Sequence, residues 1–228
     1  MSTGMSKVMS DMVHEISKAL IYISYFSIVV PIYFLVRRKH VLKFRQYRLL
    51  GIFFLASVVT DIGSYILARY QIANIFLINV YFIVSFGILS LMYARLLRNA
   101  KPAIYSFFAF SAAVFVIDTF CIHGIERMQN YVTTLCSVLA LGYAVVYYDH
   151  LLGTTDAQKI KRLPFFWINT AVAYYFGLNL VIFIFSTFVF ENLHEDEVLT
   201  VWMFHNLNNI MRNLLLAAGL YYAGEKRS

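Results

Sequence analysis

The sequence predicts an all-α polytopic membrane protein: a bundle of seven transmembrane helices with its N-terminus outside and its C-terminus in the cytoplasm. Three observations predict it. The 228 residues are 61% hydrophobic and 14% charged, with a mean hydropathy of +0.68, whereas soluble domains are about half apolar and about a quarter charged. Charge-poor runs of about 18 to 25 residues recur seven times, each long enough to cross about 30 Å of hydrocarbon. Basic residues also alternate between successive connections. Arg37, Arg38, Lys39, Lys43, Arg45, Arg48, Arg95, Arg98, Lys101, Lys159, Lys161, Arg162, Lys226 and Arg227 fall on one side, and only Lys7, Lys18, Arg69 and Arg127 on the other. The positive-inside rule makes the first side cytoplasmic. Seven spans satisfy this alternation, and six or eight break it. The net charge of +7 is therefore laid out as membrane topology, which argues against a nucleic-acid partner.

The elements follow in order. Residues 1–18 place Met5, Val8, Met9, Met12, Val13 and Ile16 opposite Lys7, Asp11, His14, Glu15 and Lys18 at helical spacing, the pattern of an interfacial helix on the outer leaflet. A solvent-projecting extension of the first span fits the same pattern. The spans are 19–36, 49–68, 72–94, 103–123, 130–148, 165–190 and 198–223, forming one transmembrane domain over 19–223 and leaving a cytoplasmic tail at 224–228. Pro31 predicts a kink in the first span near the inner leaflet, while Pro102 and Pro164 stand at helix-initiating positions of the fourth and sixth. The uncharged run 163–190 exceeds what a bilayer needs, so that helix tilts or extends past the interface.

Aromatic residues mark the interfaces. Tyr93, Tyr105, Tyr147, Tyr148, Trp167, Tyr221 and Tyr222 form the expected inner belt, and Tyr22, Tyr70, Tyr131 and Trp202 the outer one. Gly63, Gly87 and Gly142 suit close helix approach. Cys121 and Cys136 read as small buried thiols rather than a disulfide. No connection is long enough to fold as a soluble domain, so function belongs among the helices, at their mouths or in contacts with another protein.

The chemistry concentrates in the last span. Trp202, His205, Asn206, Asn208, Asn209, Arg212 and Asn213 are polar or amphipathic residues there, and 205, 209 and 212 share one helix face. An Arg at mid-membrane costs about 2.5 to 3.5 kcal/mol on insertion scales, so it requires company. Asp61 lies 12 residues from Leu49 and Arg212 lies 11 from Ala223, equal depths at about 1.5 Å per residue. The two are expected partners. Asp118 is the rival partner for Arg212 or a neighbour of His205, and Asn79 and Asn179 sit at overlapping depth.

The expected site is thus a polar cavity among spans 2, 3, 4, 6 and 7, lined by Asp61, Asn79, Asp118, Asn179, His205, Asn209 and Arg212. It would bind a small polar or amphipathic ligand for transport or sensing. An intramembrane enzyme using Asp118 and His205 as an acid–base pair on a lipid or lipid-linked substrate is the alternative, and a ligand-free structural subunit a further one. No cofactor and no metal is expected: the run Glu191, His194, Glu195, Asp196 and Glu197, with His14 or His123, reads as a solvated loop before it reads as a cation site. Motifs of zinc proteases, serine hydrolases, P-loops and haem attachment are absent from the sequence. The seven-span layout resembles that of retinal proteins, but all eight lysines lie outside the spans, so no Schiff base can form.

The expected partners are the lipid bilayer, the small-molecule ligand, a cytoplasmic protein docking at Arg37, Arg45, Lys159 and Arg162, and further copies of the chain. The phrase H-N-x-x-N-x-x-x-N-x-L-x-x-x-G from His205 to Gly219, with Trp202 three positions upstream, resembles the closing helix of uncharacterised small bacterial seven-helix membrane proteins. The tryptophan departs by one position from that family's spacing. This resemblance implies the plasma (inner) membrane of a bacterium and carries no activity with it.

Overall fold

A computed structural model describes residues 2–122 and 124–224, with side chains except at 2–10, 157, 158, 187, 190, 191 and 195. His123, Lys226 and Arg227 therefore lie outside the described residues, as do the side chains of Met5, Lys7, Val8, Met9, Glu191 and Glu195. The chain is all-α, built as α1 (Ser2–Ser27), α2 (Val29–Arg37), α3 (Arg45–Arg69), α4 (Ile75–Leu96), α5 (Lys101–Ile117), α6 (Asn130–Thr154), α7 (Ala157–Ile160), α8 (Pro164–Ile184), α9 (Ser186–Asn192) and α10 (Glu195–Ala223). Among the described residues six helical segments are long and apolar enough to cross a membrane: Asp11–Arg37, Arg45–Arg69, Ile75–Leu96, Arg98–Ile122, Asn130–Thr154 and Pro164–Ile184. The protein is a multi-pass membrane protein. With α10, seven long rods are present.

Proline and serine set the breaks. Pro31 cannot donate to the Ser27 carbonyl and its ring clashes there, so the first span parts at Ile28 into α1 and α2. The break falls deeper in the span than a kink at Pro31 itself. Pro102 and Pro164 occupy the first turns of α5 and α8. The overlong run 163–190 is two helices rather than one tilted helix. It ends as α8 at Phe185, where Ser186 Oγ turns back to bond the Phe183 carbonyl at 3.1 Å and also reaches Asn130 Oδ1. No break separates residues 2–18 from 19–27, so the N-terminal segment continues the axis of the first span.

Packing follows a ring. In order around it stand α1/α2, α10, α8, α6, α4 and α3, with α5 outside against α4 and α6. The α5 segment is the least buried of the six, 17% of its apolar window against 28–44% for the others. A buried lock joins three ring members: Tyr93 Oη of α4 donates to Asn169 Oδ1 of α8 at 2.6 Å, and Asn169 Nδ2 donates to the Ala144 carbonyl of α6 at 3.0 Å. Tyr93 and Tyr147 accordingly belong to the core, not to an interfacial belt, and Tyr93 has no exposed surface. Around them Phe86 stacks on Tyr143 with centroids 5.9 Å apart.

Gly219 permits the closest helix approach. A Cβ there would meet the Pro164 carbonyl oxygen at 2.9 Å and Ile168 Cγ1 at 2.7 Å, so α10 and α8 touch backbone to backbone. Gly142, expected at such a contact, faces open space. Cys136 is buried and Cys121 exposed, both as free thiols, so only Cys136 packs as expected.

Candidate functional site

A cavity of about 190 Å³ opens in the half of the ring remote from the α2–α3 loop. Its polar walls come from three helices and from Asn74, which precedes α4. On α10, Trp202, His205, Asn209, Arg212 and Asn213 follow the helical repeat. On α3, Ser57, Thr60, Asp61 and Ser64 do the same at i, i+3, i+4 and i+7, and α1 contributes Ser24, Tyr25 and Ile28 at the Pro31 break. Tyr81 and Phe82 of α4, and Tyr175 and Phe183 of α8, complete an aromatic lining. Across the cavity α1 and α3 face each other with little or no direct backbone contact.

Arg212 is 8% exposed and its orientation is fixed. Its Nε and Nη2 donate to Asn213 Oδ1 at 3.3 and 3.2 Å. Asn213 Nδ2 donates to Ser27 Oγ at 2.7 Å, which donates to the Ser24 carbonyl at 2.6 Å. The guanidinium lies over the Tyr175 ring at 4.7 Å and the Phe53 ring at 5.5 Å, contacts that favour a cation. Beneath it lies a small apolar void of about 30 Å³ bordered by Leu50, Leu89, Ile168 and Leu216. Arg212 thus borders both the polar cavity and an apolar one.

His205 is held by two amides. Asn179 Nδ2 donates to the Tyr175 carbonyl at 2.8 Å, which forces its Oδ1 toward the imidazole; His205 Nδ1, 2.8 Å away, must then be the donor. His205 Nε2 is left to accept from Asn209 Nδ2 at 3.2 Å. Trp202, Tyr175 and Phe183 pack edge-on to the ring at 5.0, 6.0 and 6.2 Å. Both ring nitrogens are engaged by protein amides.

The expected residues separate into two groups. Asp61, His205, Asn209 and Arg212 line the cavity together, and Asn179 stands directly behind His205. Asp61 and Arg212 share it without an ion pair, which corrects their expected partnership: Asn213 holds the guanidinium, and no hydrogen bond or ion pair reaches Asp61 among the described residues. Asn79 is elsewhere, its Nδ2 donating to the Ile125 and Arg127 carbonyls at 3.2 and 2.8 Å, so it ties down the α5–α6 connection. Asp118 is also elsewhere. It is fully buried in a π turn, Asp118–Ile122, that prolongs α5 outside the ring, so the Asp118–His205 acid–base pair is not assembled.

The fourth span therefore contributes nothing to the cavity walls, and the first span takes its place. Two signals point to the missed residues. The spacing of Ser57, Thr60, Asp61 and Ser64 marks a second polar stripe, and Ser17 and Ser24, both buried, are seven residues apart on α1. Trp202, assigned to the outer belt, is a cavity wall. The acidic run is divided: Glu191 falls in α9, His194 caps α10, and Glu195, Asp196 and Glu197 form its first turn; the His194 backbone N–H donates to the Glu197 carboxylate at 3.0 Å, and His14 Nε2 lies 3.7 Å from Asp196 Oδ1. Carboxylates suit that end of a helix dipole. Among the described residues no group of three or more His, Cys, Asp or Glu side chains could hold a metal ion. Arg37, Arg45, Lys159 and Arg162 are exposed at the opposite end of the bundle.

No family model, no curated protein and no solved structure matches this chain.

Proposed function

We propose that the protein binds a small polar or amphipathic molecule in the cavity between α1, α3, α4, α8 and α10, either to carry it across the bilayer or to sense it. One observation carries the reading. Asp61 and Arg212 line a single cavity and form no direct ion pair there among the described residues. Burying an uncompensated charge costs several kcal/mol, and an interhelical packing network gains nothing by holding such a pair apart. A site that receives a polar guest does.

α10 serves as the seventh span in this reading, and the basic connections place the N-terminus outside and the C-terminus in the cytoplasm of a bacterial inner membrane. The cavity then faces outward, and the apolar layer beneath Arg212 seals it from the cytoplasm. The exposed Arg37, Arg45, Lys159 and Arg162 are the docking points for a cytoplasmic partner if the protein senses. His205, committed to Asn179 and Asn209, shapes the wall and performs no proton transfer.

Trp202 reports occupancy directly. Trp167, the other of the two tryptophans, stacks on Tyr222 at the far end of the bundle, so a Trp167→Phe variant isolates the cavity signal. In nanodiscs its emission is expected to shift saturably with a small polar solute from a metabolite panel, and the shift is expected to vanish in Arg212→Gln. A panel with no responding solute overturns the reading. Uptake of the responding solute into proteoliposomes then separates carriage from sensing.

A further inference from the structure

Resting on the reading of the cavity as a binding site, we infer that its occupant is a free zwitterion of amino-acid class, with a primary ammonium at Asp61 and a carboxylate at Arg212. The charges require both ends. A simple cation compensates Asp61 and leaves Arg212 buried without a counter-charge; a simple anion does the reverse, and a neutral solute serves neither. Asn213 Oδ1 holds Nε and Nη2 of Arg212 at 3.3 and 3.2 Å, and Asn213 is itself fixed to Ser27 at 2.7 Å, so Asn213 and not Asp61 sets the orientation of the guanidinium.

Hydrogen-bond direction assigns the two ends. Arg212 Nη1 makes no hydrogen bond among the described residues and is the donor left for a carboxylate, a charge-assisted pairing that guanidinium geometry favours. Near Asp61 the stripe offers oxygens: the hydroxyls of Ser57 and Thr60 line the same wall. A primary ammonium carries three donors and no acceptor, so it matches this array.

A cavity of about 190 Å³ has room for a short amino acid. A zwitterionic lipid headgroup carries the same two charges, and saturable binding of a free zwitterion in nanodiscs made only from lipids that lack a primary ammonium separates the two sources.

The test uses the full-length Trp167→Phe protein in nanodiscs and Trp202 emission. The probes are L-alanine, L-leucine, β-alanine and γ-aminobutyrate, with propionate and ethylamine as the two halves of alanine. At least one zwitterion is expected to bind saturably, and each half-molecule at least about tenfold more weakly, in line with losing one charged hydrogen bond of about 1.5 to 3 kcal/mol. Asp61→Asn is expected to weaken zwitterion binding about tenfold or more while sparing propionate, and Arg212→Gln to weaken it while sparing ethylamine. Asp61→Glu and Arg212→Lys, which keep the charge, test the same pattern if the neutral variants do not fold, by retaining more affinity for the zwitterion than for either half.

If a half-molecule binds as well as every zwitterion, or if either neutral variant leaves zwitterion binding unchanged, the zwitterion inference is overturned and the cavity remains a binding site. If none of these probes binds, the zwitterion inference falls. If the wider solute panel is silent as well, the binding site falls with it.

Discussion

Asn179 and Asn79 are the same residue type at overlapping depth, yet they do different work. Asn179 sets the proton position on His205 from behind the cavity wall, while Asn79 holds the α5–α6 connection. Nothing in residue type or depth separates them, because the difference lies in what the backbone carbonyls of a distant loop do. Asn179→Leu would leave the His205 Nδ1–H without its acceptor, at a cost of about 1 to 3 kcal/mol. Denaturation in mixed micelles measures that loss. Asn209→Leu, at a cavity-facing position where water can replace the amide, is expected to cost less, and equal losses would contradict the assigned hydrogen-bond directions. Asp61 and Arg212 were legible from depth alone, since both must avoid lipid. Their separation was not, because it depends on Asn213, one residue along, capturing the guanidinium first.

At the scale of elements, hydropathy located the six apolar spans because crossing hydrocarbon leaves little freedom in length. It did not locate the breaks. The parting at Ile28 comes from the donor lost at Pro31, and the one at Phe185 accompanies Ser186 bonding back to Phe183, both invisible to an average over twenty residues. Nor does hydropathy say which helix stands outside the ring. The fourth span reads as apolar as its neighbours, and only the packing of α5 against α4 and α6 removes Asp118 from the cavity. The contact of α10 with α8 is the tightest such interface to test. Gly219→Val would drive a side chain against the Pro164 carbonyl, and overpacking of this kind costs about 1 to 3 kcal/mol. The expected result is a lower melting temperature in detergent, with Gly142→Val, facing open space, as the variant that changes little.

Across the whole molecule, the first and last helices are neighbours. α10 packs on α1 and α2, Asn213 bonds Ser27 at 2.7 Å, and Arg38 Nη1 donates to the Gly224 carbonyl at 2.7 Å while lying over the Tyr221 ring. The two ends of the chain thus close the ring, and α10 is absent from the six helices apolar enough to cross a membrane unaided. This adjacency has a meaning in time. A ribosome delivers α10 after the other ring helices, with Arg212 and four asparagines, so its entry into the bilayer must wait for those earlier helices to offer Ser27, Tyr175 and Asn179. A topology reporter fused after Gly224 is expected to show spanning in the full chain, and failure to span when α10 follows an unrelated soluble leader. Efficient insertion of α10 alone would contradict this order. The cavity is then completed only when α10 docks on the helices made before it, and until that moment Asp61 of α3 waits without Arg212 across from it.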